Sequence, residues 1–318
     1  MRISILIPTC ARPEQLREAL ASIAMQDLSL VGEILISDDS PPEHVEANHA
    51  AVKASGLQSL VRYWSHSPAL GTYPNHWFLA SEAREAHMLF LHDDDAMCPG
   101  GLAALADACN AETDTRVKLW FGTQYIVDEA GVVDPVRSEQ NDRAYGRTGG
   151  EAAHPVWEWC LKHSIPPDGY LVETATYRRH MRGERDGNVG DWAFVVRLAN
   201  QGIWARYIGE TVSHYRVQLA SVTSSGRGTD VHLLFEHACK LKVPPEREAE
   251  KRQHFYGSML VVAVRYLRDG ERGNAWRAWC SSHLQWRQRL SLRAAAVLAM
   301  LLTPRPMWFW ALRYKDKR

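Results

Sequence analysis

Three consecutive aspartates, Asp93, Asp94 and Asp95, follow the apolar run Met88–Leu91, which is typical of a buried strand. Adjacent carboxylates repel one another at neutral pH, and the end of a buried strand is an unfavourable place for them unless a cation is bound. Mg²⁺ or Mn²⁺ binds one or two carboxylates together with the oxygens of a diphosphate, as a site that handles nucleotides requires. The alternative is a solvated acidic turn that caps the helix predicted from Pro99.

A second acidic pair, Asp38 and Asp39, follows the apolar run Glu33–Ser37 and precedes Ser40. An aspartate in this place can accept hydrogen bonds from a ribose hydroxyl or from the N–H of a base. It can equally cap the turn before the two prolines that follow, because Asp and Ser are common turn residues. The position of this pair beside the other strand ends favours the binding role.

Strand and helix patterns alternate in the first third of the chain and would position these residues. The predicted strands are Ile3–Ile7, Glu33–Ser37, Leu60–Trp64 and Met88–Leu91, and the predicted helices are Pro13–Gln26, Glu43–Ala54 and Asn75–Ala83. This order predicts an α/β fold with a mostly parallel, Rossmann-like central sheet and flanking helices. Ligands in such sheets bind beyond the carboxyl ends of the strands, where Thr9 and both acidic groups would meet.

The middle of the chain continues the alternation with weaker signals. The pattern predicts helices over Pro99–Ala111, Ala152–Lys162 and 191–200, strands over Lys118–Val127, Tyr170–Thr176 and Trp204–Ile208, and a mobile loop over the polar, aperiodic residues 134–151. From about residue 230 the pattern becomes helical, which predicts a C-terminal helical extension.

Charge is distributed unevenly along a chain whose formal net charge is zero. Residues 1–264 carry 25 Lys and Arg against 34 Asp and Glu, whereas residues 265–318 carry 12 against 3. Five of the 12 tryptophans also lie in this basic tail. Trp276, Trp279, His283, Trp286 and Leu290 have the spacing of one helical stripe, which predicts an amphipathic helix with an aromatic face. The combination favours an anionic interface.

Composition excludes several other classes of protein. Hydrophobic residues make up 46% of the chain and charged residues 23%, as in globular proteins, and a net charge of zero argues against a general nucleic-acid binder. The 6 cysteines form no CxxC pair, so neither a zinc site nor a disulfide framework is indicated and a reduced cytoplasm is expected. The longest apolar run of the tail, Ala294–Leu302, is far shorter than the ~20 residues that span a bilayer.

Several motifs in register resemble the family-2 glycosyltransferases of the GT-A fold over about residues 1–220. They are Ile5-Leu-Ile-Pro-Thr-Cys-Ala-Arg-Pro13, Ile36-Ser-Asp-Asp-Ser40, Leu89-Phe-Leu-His-Asp-Asp-Asp95 with Pro99, and Gly190-Asp-Trp192 followed by Arg197-Leu-Ala199. The resemblance implies an inverting transfer from a nucleotide-diphosphate sugar, with UDP- or dTDP-sugars favoured and Mn²⁺ or Mg²⁺ as the cofactor.

The resemblance also implies roles for individual residues on the donor side. Pro8, Thr9 and Arg12 would contact base and phosphates, Asp39 a uracil or thymine, and Asn75 and Asp93 the donor, while Asp94, Asp95 and His214 would bind the metal. When the family's Asp-x-Asp-Asp motif is aligned on Pro99, its first aspartate corresponds to His92 of this chain. The resemblance therefore does not settle which aspartates of the triplet bind the metal. Arg216 is the alternative to His214 as a diphosphate contact.

Asp191 resembles the catalytic base of the family, an aspartate that deprotonates the attacking sugar hydroxyl. The helix dipole would keep its carboxylate ionised. The glutamate that precedes this aspartate in the family is replaced by Gly190. The competing interpretation of Asp191 is a simple helix N-cap.

The predicted organisation is a catalytic domain over 1–225, divided into a nucleotide-sugar half (1–115) and an acceptor half (116–225), and a helical, basic, Trp-rich extension over 226–318. The expected activity is a hexosyl transfer to a glycan or lipid-linked acceptor in the synthesis of a cell-surface polysaccharide. The tail would hold the protein on the cytoplasmic face of the membrane. Two alternatives stay open: a membrane-docking scaffold without turnover, and a nucleotidyltransferase, although residues 8–12 lack the glycine-rich loop typical of that class.

Overall fold

A computed structural model describes residues 1–181, 186–187, 189–217 and 230–308. The chain divides into two compact units, Met1–Gly228 and Thr229–Arg318.

The first unit begins with regularly alternating strands and helices. They are β1 (Ile3–Thr9), α1 (Pro13–Ala24), β2 (Val31–Asp38), α2 (Pro42–Ala54), β3 (Val61–Ser65), α3 (Thr72–Glu82) and β4 (His87–Phe90). Proline at the first turn of both α1 and α2 suits a helix start, because its missing N–H has no partner there. Every strand and helix predicted for this region is present, within a few residues of its predicted bounds.

The second half of this unit contains shorter and more varied elements. They are β5 (Ala96–Met97), α4 (Gly101–Ala111), β6 (Val117–Val127), α5 (Pro135–Ala144), β7 (Ala152–Pro155), α6 (Val156–Lys162), β8 (Leu171–Glu173), α7 (Thr174–His180), α8 (Gly190–Asn200) and β9 (Trp204–Arg216).

The described strands form one nine-stranded sheet with the order β3-β2-β1-β4-β8-β6-β9-β5, in which β7 also pairs with β9. The first four strands are parallel. β8 runs antiparallel to β4 and β6, whereas β6 and β9 are parallel. The predicted α/β class and flanking helices are confirmed, and the sheet is parallel in its first half and mixed in its second.

Burial explains why the first strands could be predicted. Ile3, Ile5, Leu6 and Ile7 of β1 are fully buried, because helices cover both faces of the parallel part of the sheet. A strand of this kind reads as a continuous apolar run. The strand ends at Thr9, where polar residues take over.

Three predictions for the second half were wrong in part. The predicted loop 134–151 contains α5, whose N-cap Asp134 accepts a hydrogen bond from the backbone N–H of Arg137 at 2.9 Å. Only Ser138 of α5 is buried, so the helix shows no apolar periodicity. The predicted helix from Ala152 begins as strand β7, and the predicted strand up to Thr176 ends as helix α7.

The second unit is helical, as predicted. Its helices are α9 (Val231–Lys240), α10 (Glu248–Phe255), α11 (Met259–Arg268), α12 (Arg272–Cys280), α13 (Trp286–Arg289) and α14 (Leu292–Leu302). None of the described helices is both long and apolar enough to cross a membrane.

The predicted aromatic helix from Trp276 to Leu290 is wrong. α12 ends at Cys280 because Ser281 has extended backbone angles, and a separate short helix begins at Trp286. Trp279 and His283 are buried, whereas Trp286 is 66% and Leu290 78% exposed. The stripe is therefore split between the core of this unit and its surface.

Candidate active site

A cleft with a volume of about 610 Å³ lies at the carboxyl ends of β1, β2 and β4. Nine of the ten predicted site residues line it: Pro8, Thr9, Arg12, Asp39, Asn75, Asp93, Asp94, Asp95 and Asp191. They come from the ends of separate strands and the loops that follow them, from α3 and from the start of α8, as expected where a parallel sheet positions a ligand site.

The loop after β1 is tied to the acidic triplet. Thr9 Oγ1 donates a hydrogen bond to Asp93 Oδ2 at 2.8 Å, and Arg12 Nη1 contacts Asp93 Oδ1 at 3.1 Å and Asp94 Oδ2 at 2.8 Å. Burial raises the pKa of Asp93 and Arg12 opposes this shift. Asp93 thus orders the loop that carries Thr9 and Arg12.

Three potential metal ligands stand beside this contact. One ligand atom each from His92, Asp94 and Asp95 lies within 4.8 Å of the others. Burial and the neighbouring Asp168 raise the pKa of Asp95 well above its usual range, which means that its negative charge is poorly compensated. Carboxylate oxygens with one imidazole nitrogen suit Mn²⁺, and carboxylates suit Mg²⁺. The donor set therefore fits a divalent cation.

Hydrogen bonds fix the orientation of the His92 ring. His76 Nδ1 lies 2.7 Å from the Thr72 carbonyl oxygen, so this nitrogen carries the proton. Burial lowers the pKa of His76 to about 3, so its Nε2 accepts from His92 Nε2 at 3.3 Å. Because Nε2 of His92 donates in this contact, Nδ1 is the ring nitrogen that can bind a metal.

His214 does not line the cleft. Its ring centre lies 5.9 Å from that of Tyr125 on the neighbouring strand β6. Arg216 lines the cleft but is held by the chain itself, since its Nε donates to the Asp94 carbonyl at 2.9 Å and its Nη1 to the Glu129 carbonyl at 2.8 Å.

Asp39 and Asn75 shape the opposite wall. The carboxylate of Asp39 accepts from the backbone N–H groups of Leu70 at 3.0 Å and Gly71 at 2.8 Å, which holds the turn before α3. Asn75 donates to the Ser37 carbonyl at 3.1 Å, while its Oδ1 is buried without a hydrogen-bond partner among the described residues. Asp38 is fully buried and accepts from Asn48 at 2.9 Å, so it stabilises the strand end.

Asp191 lies at the first turn of α8, where two cavities meet. It lines both the cleft and a second cavity of about 260 Å³. Burial raises the pKa of Asp191, and its hydrogen bonds to backbone N–H groups of α8 only partly oppose the shift. The predicted effect of the helix N-terminus is thus outweighed by desolvation.

The ring of Tyr73 explains why residue 190 is a glycine. A Cβ atom at Gly190 would lie 2.5 Å from that ring, so a glutamate at this position would clash unless the Tyr73 ring moved. The Tyr73 hydroxyl instead accepts from the backbone N–H groups of Gly190 and Asp191, and burial raises its pKa. Tyr73 therefore caps α8 directly beside Asp191.

Sequence reasoning missed Tyr73, His76 and Asp168. Asp168 is fully buried and accepts from the His92 backbone N–H at 3.0 Å, so it positions the start of the acidic motif. The only signal for it was its place in the turn after Pro166 and Pro167. The two aromatic residues lie in α3, outside every motif that carries the family resemblance.

Comparison with solved structures identifies the fold as GT-A, the fold of nucleotide-sugar glycosyltransferases. S. aureus TarS (residues 1–349), in complex with UDP-GlcNAc, matches with a TM-score of 0.66 and 13% identity over 99% of this chain and 92% of that one. A mannosyltransferase from Pyrobaculum calidifontis, in complex with GDP-Man and Mn²⁺, matches with a TM-score of 0.53 and 17% identity over 98% of this chain and 84% of that one. At such identities the likeness concerns the fold.

Residues 4–127 match the sequence profile of Glycosyl transferase family 2. The resemblance inferred from the motifs is confirmed for these residues, and the fold of the chain is similar to that of GT-A glycosyltransferases. No curated protein matches the chain.

Proposed function

We propose that the protein is an inverting, metal-dependent glycosyltransferase that moves a hexose from a nucleotide-diphosphate sugar to a hydroxyl of a glycan or lipid-linked acceptor. The observation that carries this proposal is the position of Asp191 between two cavities, one of which contains the cluster His92, Asp94 and Asp95. We also propose the division of labour expected from the sequence, with donor binding in 1–115, acceptor binding in 116–225 and the extension over 226–318.

The donor would lie in the 610 Å³ cleft. Arg12 and the cation would face the diphosphate, and Asp39 and Asn75 would face the base and ribose. The neighbours of known structure were solved with UDP-GlcNAc, with UDP and with GDP-Man, so a pyrimidine donor and a purine donor both suit the fold. We favour UDP- or dTDP-sugars because the family resemblance implies that Asp39, which lines the cleft, contacts uracil or thymine.

His92, Asp94 and Asp95 would hold Mn²⁺ or Mg²⁺. When bound, such an ion neutralises the charge that develops on the leaving diphosphate. Asp93 contributes indirectly, because it fixes Thr9 and Arg12. His76 and Asp168 keep the His92 ring and backbone in place.

Asp191 would act as the general base. Its carboxylate takes the proton of the acceptor hydroxyl while the hydroxyl oxygen bonds to the anomeric carbon and the bond from that carbon to the diphosphate oxygen breaks. A base on the face opposite the leaving group gives inversion in a single displacement. Burial favours this role, since a raised pKa makes the carboxylate a better proton acceptor.

A thermal-shift screen of nucleotide sugars with and without Mn²⁺ tests the proposal. We expect one nucleotide sugar to raise the melting temperature, and more so with Mn²⁺, because a ligand that binds only the folded state stabilises it. A scaffold that lost its donor site, or a nucleotidyltransferase that prefers a nucleoside triphosphate, would not give this pattern.

We propose that the second unit docks on the cytoplasmic face of an anionic membrane, which would bring the site to a lipid-linked acceptor for a cell-surface polysaccharide. The segment 286–293 exposes Trp286, Leu290 and Leu292, which is 91% exposed, together with Arg287 and Arg293. Exposed Trp and Leu beside Arg are typical of interfacial segments, where each basic residue adds roughly 1 kcal/mol at an anionic surface.

The full-length protein should float with anionic liposomes, more strongly at low salt. Truncation near residue 264 would cut α11, so substitutions are the better test. The triple variant Trp286→Ser, Leu290→Ser, Leu292→Ser should lower the bound fraction at least about fivefold, because it removes the apolar anchor. The matched control is Val261→Ser, which also changes an exposed apolar residue of this unit. Equal flotation of the triple variant and the control would contradict membrane docking.

A further inference from the structure

The second cavity is the place where an acceptor would lie. It shares Pro167, Tyr170, Asp191 and Tyr215 with the donor cleft. A molecule bound in it therefore lies next to the proposed base. The chemistry of its other walls indicates what that molecule carries.

One wall of this cavity contains a buried arginine. Arg147 is 4% exposed, and its Nε and Nη1 atoms are buried without a hydrogen-bond partner among the described residues. Within that same part of the chain its guanidinium group enters no salt bridge. An unpaired buried charge is one of the most unfavourable features of a folded protein, and functional sites are where such features persist.

The nearby acidic residue Asp142 does not form a salt bridge with this arginine. Burial raises the pKa of Asp142 to about 6 even though the charge of Arg147 acts to lower it. A carboxylate paired with an arginine would have a lowered pKa instead. Asp142 Oδ1 is itself buried with no hydrogen-bond partner in the described ranges.

The position of Arg147 is fixed by its backbone. Its N–H donates to the Asp142 carbonyl at 2.8 Å, and its carbonyl accepts from the Tyr207 hydroxyl at 3.0 Å. The guanidinium carbon lies 5.2 Å from the centre of the Tyr145 ring. A backbone held in this way loses little freedom when a ligand binds to the side chain.

We propose that this cavity binds an oxyanion, a phosphate or carboxylate group, carried by the acceptor, and that Arg147 is the residue that recognises it. A guanidinium group matches two oxygens of such a group with parallel hydrogen bonds. That the bound molecule is the acceptor of the sugar follows only if the proposed function holds. Arg147 acts as a specificity-determining residue, because it fixes which hydroxyl of the anionic acceptor faces Asp191.

Aromatic walls suit the sugar part of such an acceptor. The rings of His163 and Trp192 stack at 5.2 Å between centres, and both residues line the cavity with Trp159. These rings supply apolar surface against which the C–H groups of a sugar can pack. The cavity thus combines one cationic wall with an apolar surface.

The test compares three glycosides that differ at one carbon: methyl glucopyranoside, its 6-phosphate and methyl glucuronoside. Binding is measured by calorimetry without any donor, for wild type, Arg147→Met and Arg147→Lys. Wild type should bind an anionic glycoside at least about tenfold more tightly than the neutral one, as expected for a charge-assisted hydrogen-bonded pair. Arg147→Met should abolish this preference and Arg147→Lys should keep part of it. The control Arg137→Met removes an exposed arginine of α5 and should change nothing.

Each possible result supports or overturns the proposal. A stronger preference for the phosphate indicates a phosphorylated acceptor, and a stronger preference for the uronide indicates a uronic acid. Equal affinity for all three glycosides, no binding of either anionic one, or a preference that survives in Arg147→Met overturns the proposal. Binding of nucleoside diphosphate to the other cleft is measured separately. If the wild type did not bind nucleoside diphosphate, the proposed function would be refuted, but the anion preference of the second cavity would still stand.

Discussion

Asp191→Asn should lower the turnover rate at least about a hundredfold, the lower end of what a general base contributes. The amide has nearly the same shape as the carboxylate but cannot take the proton of the acceptor hydroxyl. The affinity for the donor should barely change, because the residues proposed to contact the donor, Arg12, Asp39 and Asn75, lie elsewhere in the cleft. Steady-state kinetics with saturating donor and Mn²⁺ would separate the two effects.

The pH profile provides a second readout for Asp191. Turnover should fall as the pH drops through the pKa of this carboxyl, which burial places above the ordinary aspartate value. The residual activity of Asp191→Asn should lack that limb. Asp107→Asn changes an exposed aspartate of α4 and should retain full turnover. Near-normal turnover of Asp191→Asn would assign the residue to helix capping alone.

Asp94→Ala should abolish transfer and remove the extra stabilisation that Mn²⁺ gives to a bound nucleoside diphosphate. The substitution deletes one carboxylate of the cluster with His92 and Asp95, and it also removes a partner of Arg12. Thermal shifts with the nucleoside diphosphate, with and without Mn²⁺, measure the effect directly. The melting temperature without ligand should not fall much, because Asp94 is partly exposed.

Asp107→Ala is the matched control for this loss of charge and should keep the Mn²⁺-dependent shift. If Asp94→Ala kept the full shift, the cation would be bound elsewhere. His92→Asn then provides a further comparison, since it removes only the imidazole ligand. This variant should bind Mn²⁺ more weakly but still transfer the sugar.

The sequence was most informative where one physical rule dominates. β1, β2 and β4 are apolar runs because both faces of the sheet are covered, and each ends at a polar residue. The carboxyl ends of parallel strands must meet at one edge, so Thr9, Asp39 and the acidic triplet could be brought together without coordinates.

The sequence was least informative where contacts between distant segments determine the structure. Tyr73 reaches Gly190 and His76 reaches His92 across the cleft, and no local pattern encodes such pairs. α5 was missed because nearly all its residues face solvent. His214 was predicted to bind the metal from the family resemblance, but it is not among the residues that line the cleft.

The burial of Arg147 could not be predicted either. The segment 134–151 is polar and aperiodic, and such segments usually lie in solvent. Contacts of its backbone with Asp142 and with Tyr207 on β9 hold this residue in place, and its side chain lines a cavity.

The central claim is that the protein transfers a sugar from a nucleotide-diphosphate donor with inversion. The most direct measurement is proton NMR of the nucleotide sugar selected by the thermal-shift screen, incubated with the protein, Mn²⁺ and, as acceptor, the glycoside that binds most tightly to the second cavity. We predict release of the nucleoside diphosphate and a first-formed sugar product of the opposite anomeric configuration. Asp191→Asn and Asp94→Ala should release no more than a small fraction of the wild-type amount. An unchanged donor, release of a nucleoside monophosphate, or a product that retains the donor's configuration would contradict the account.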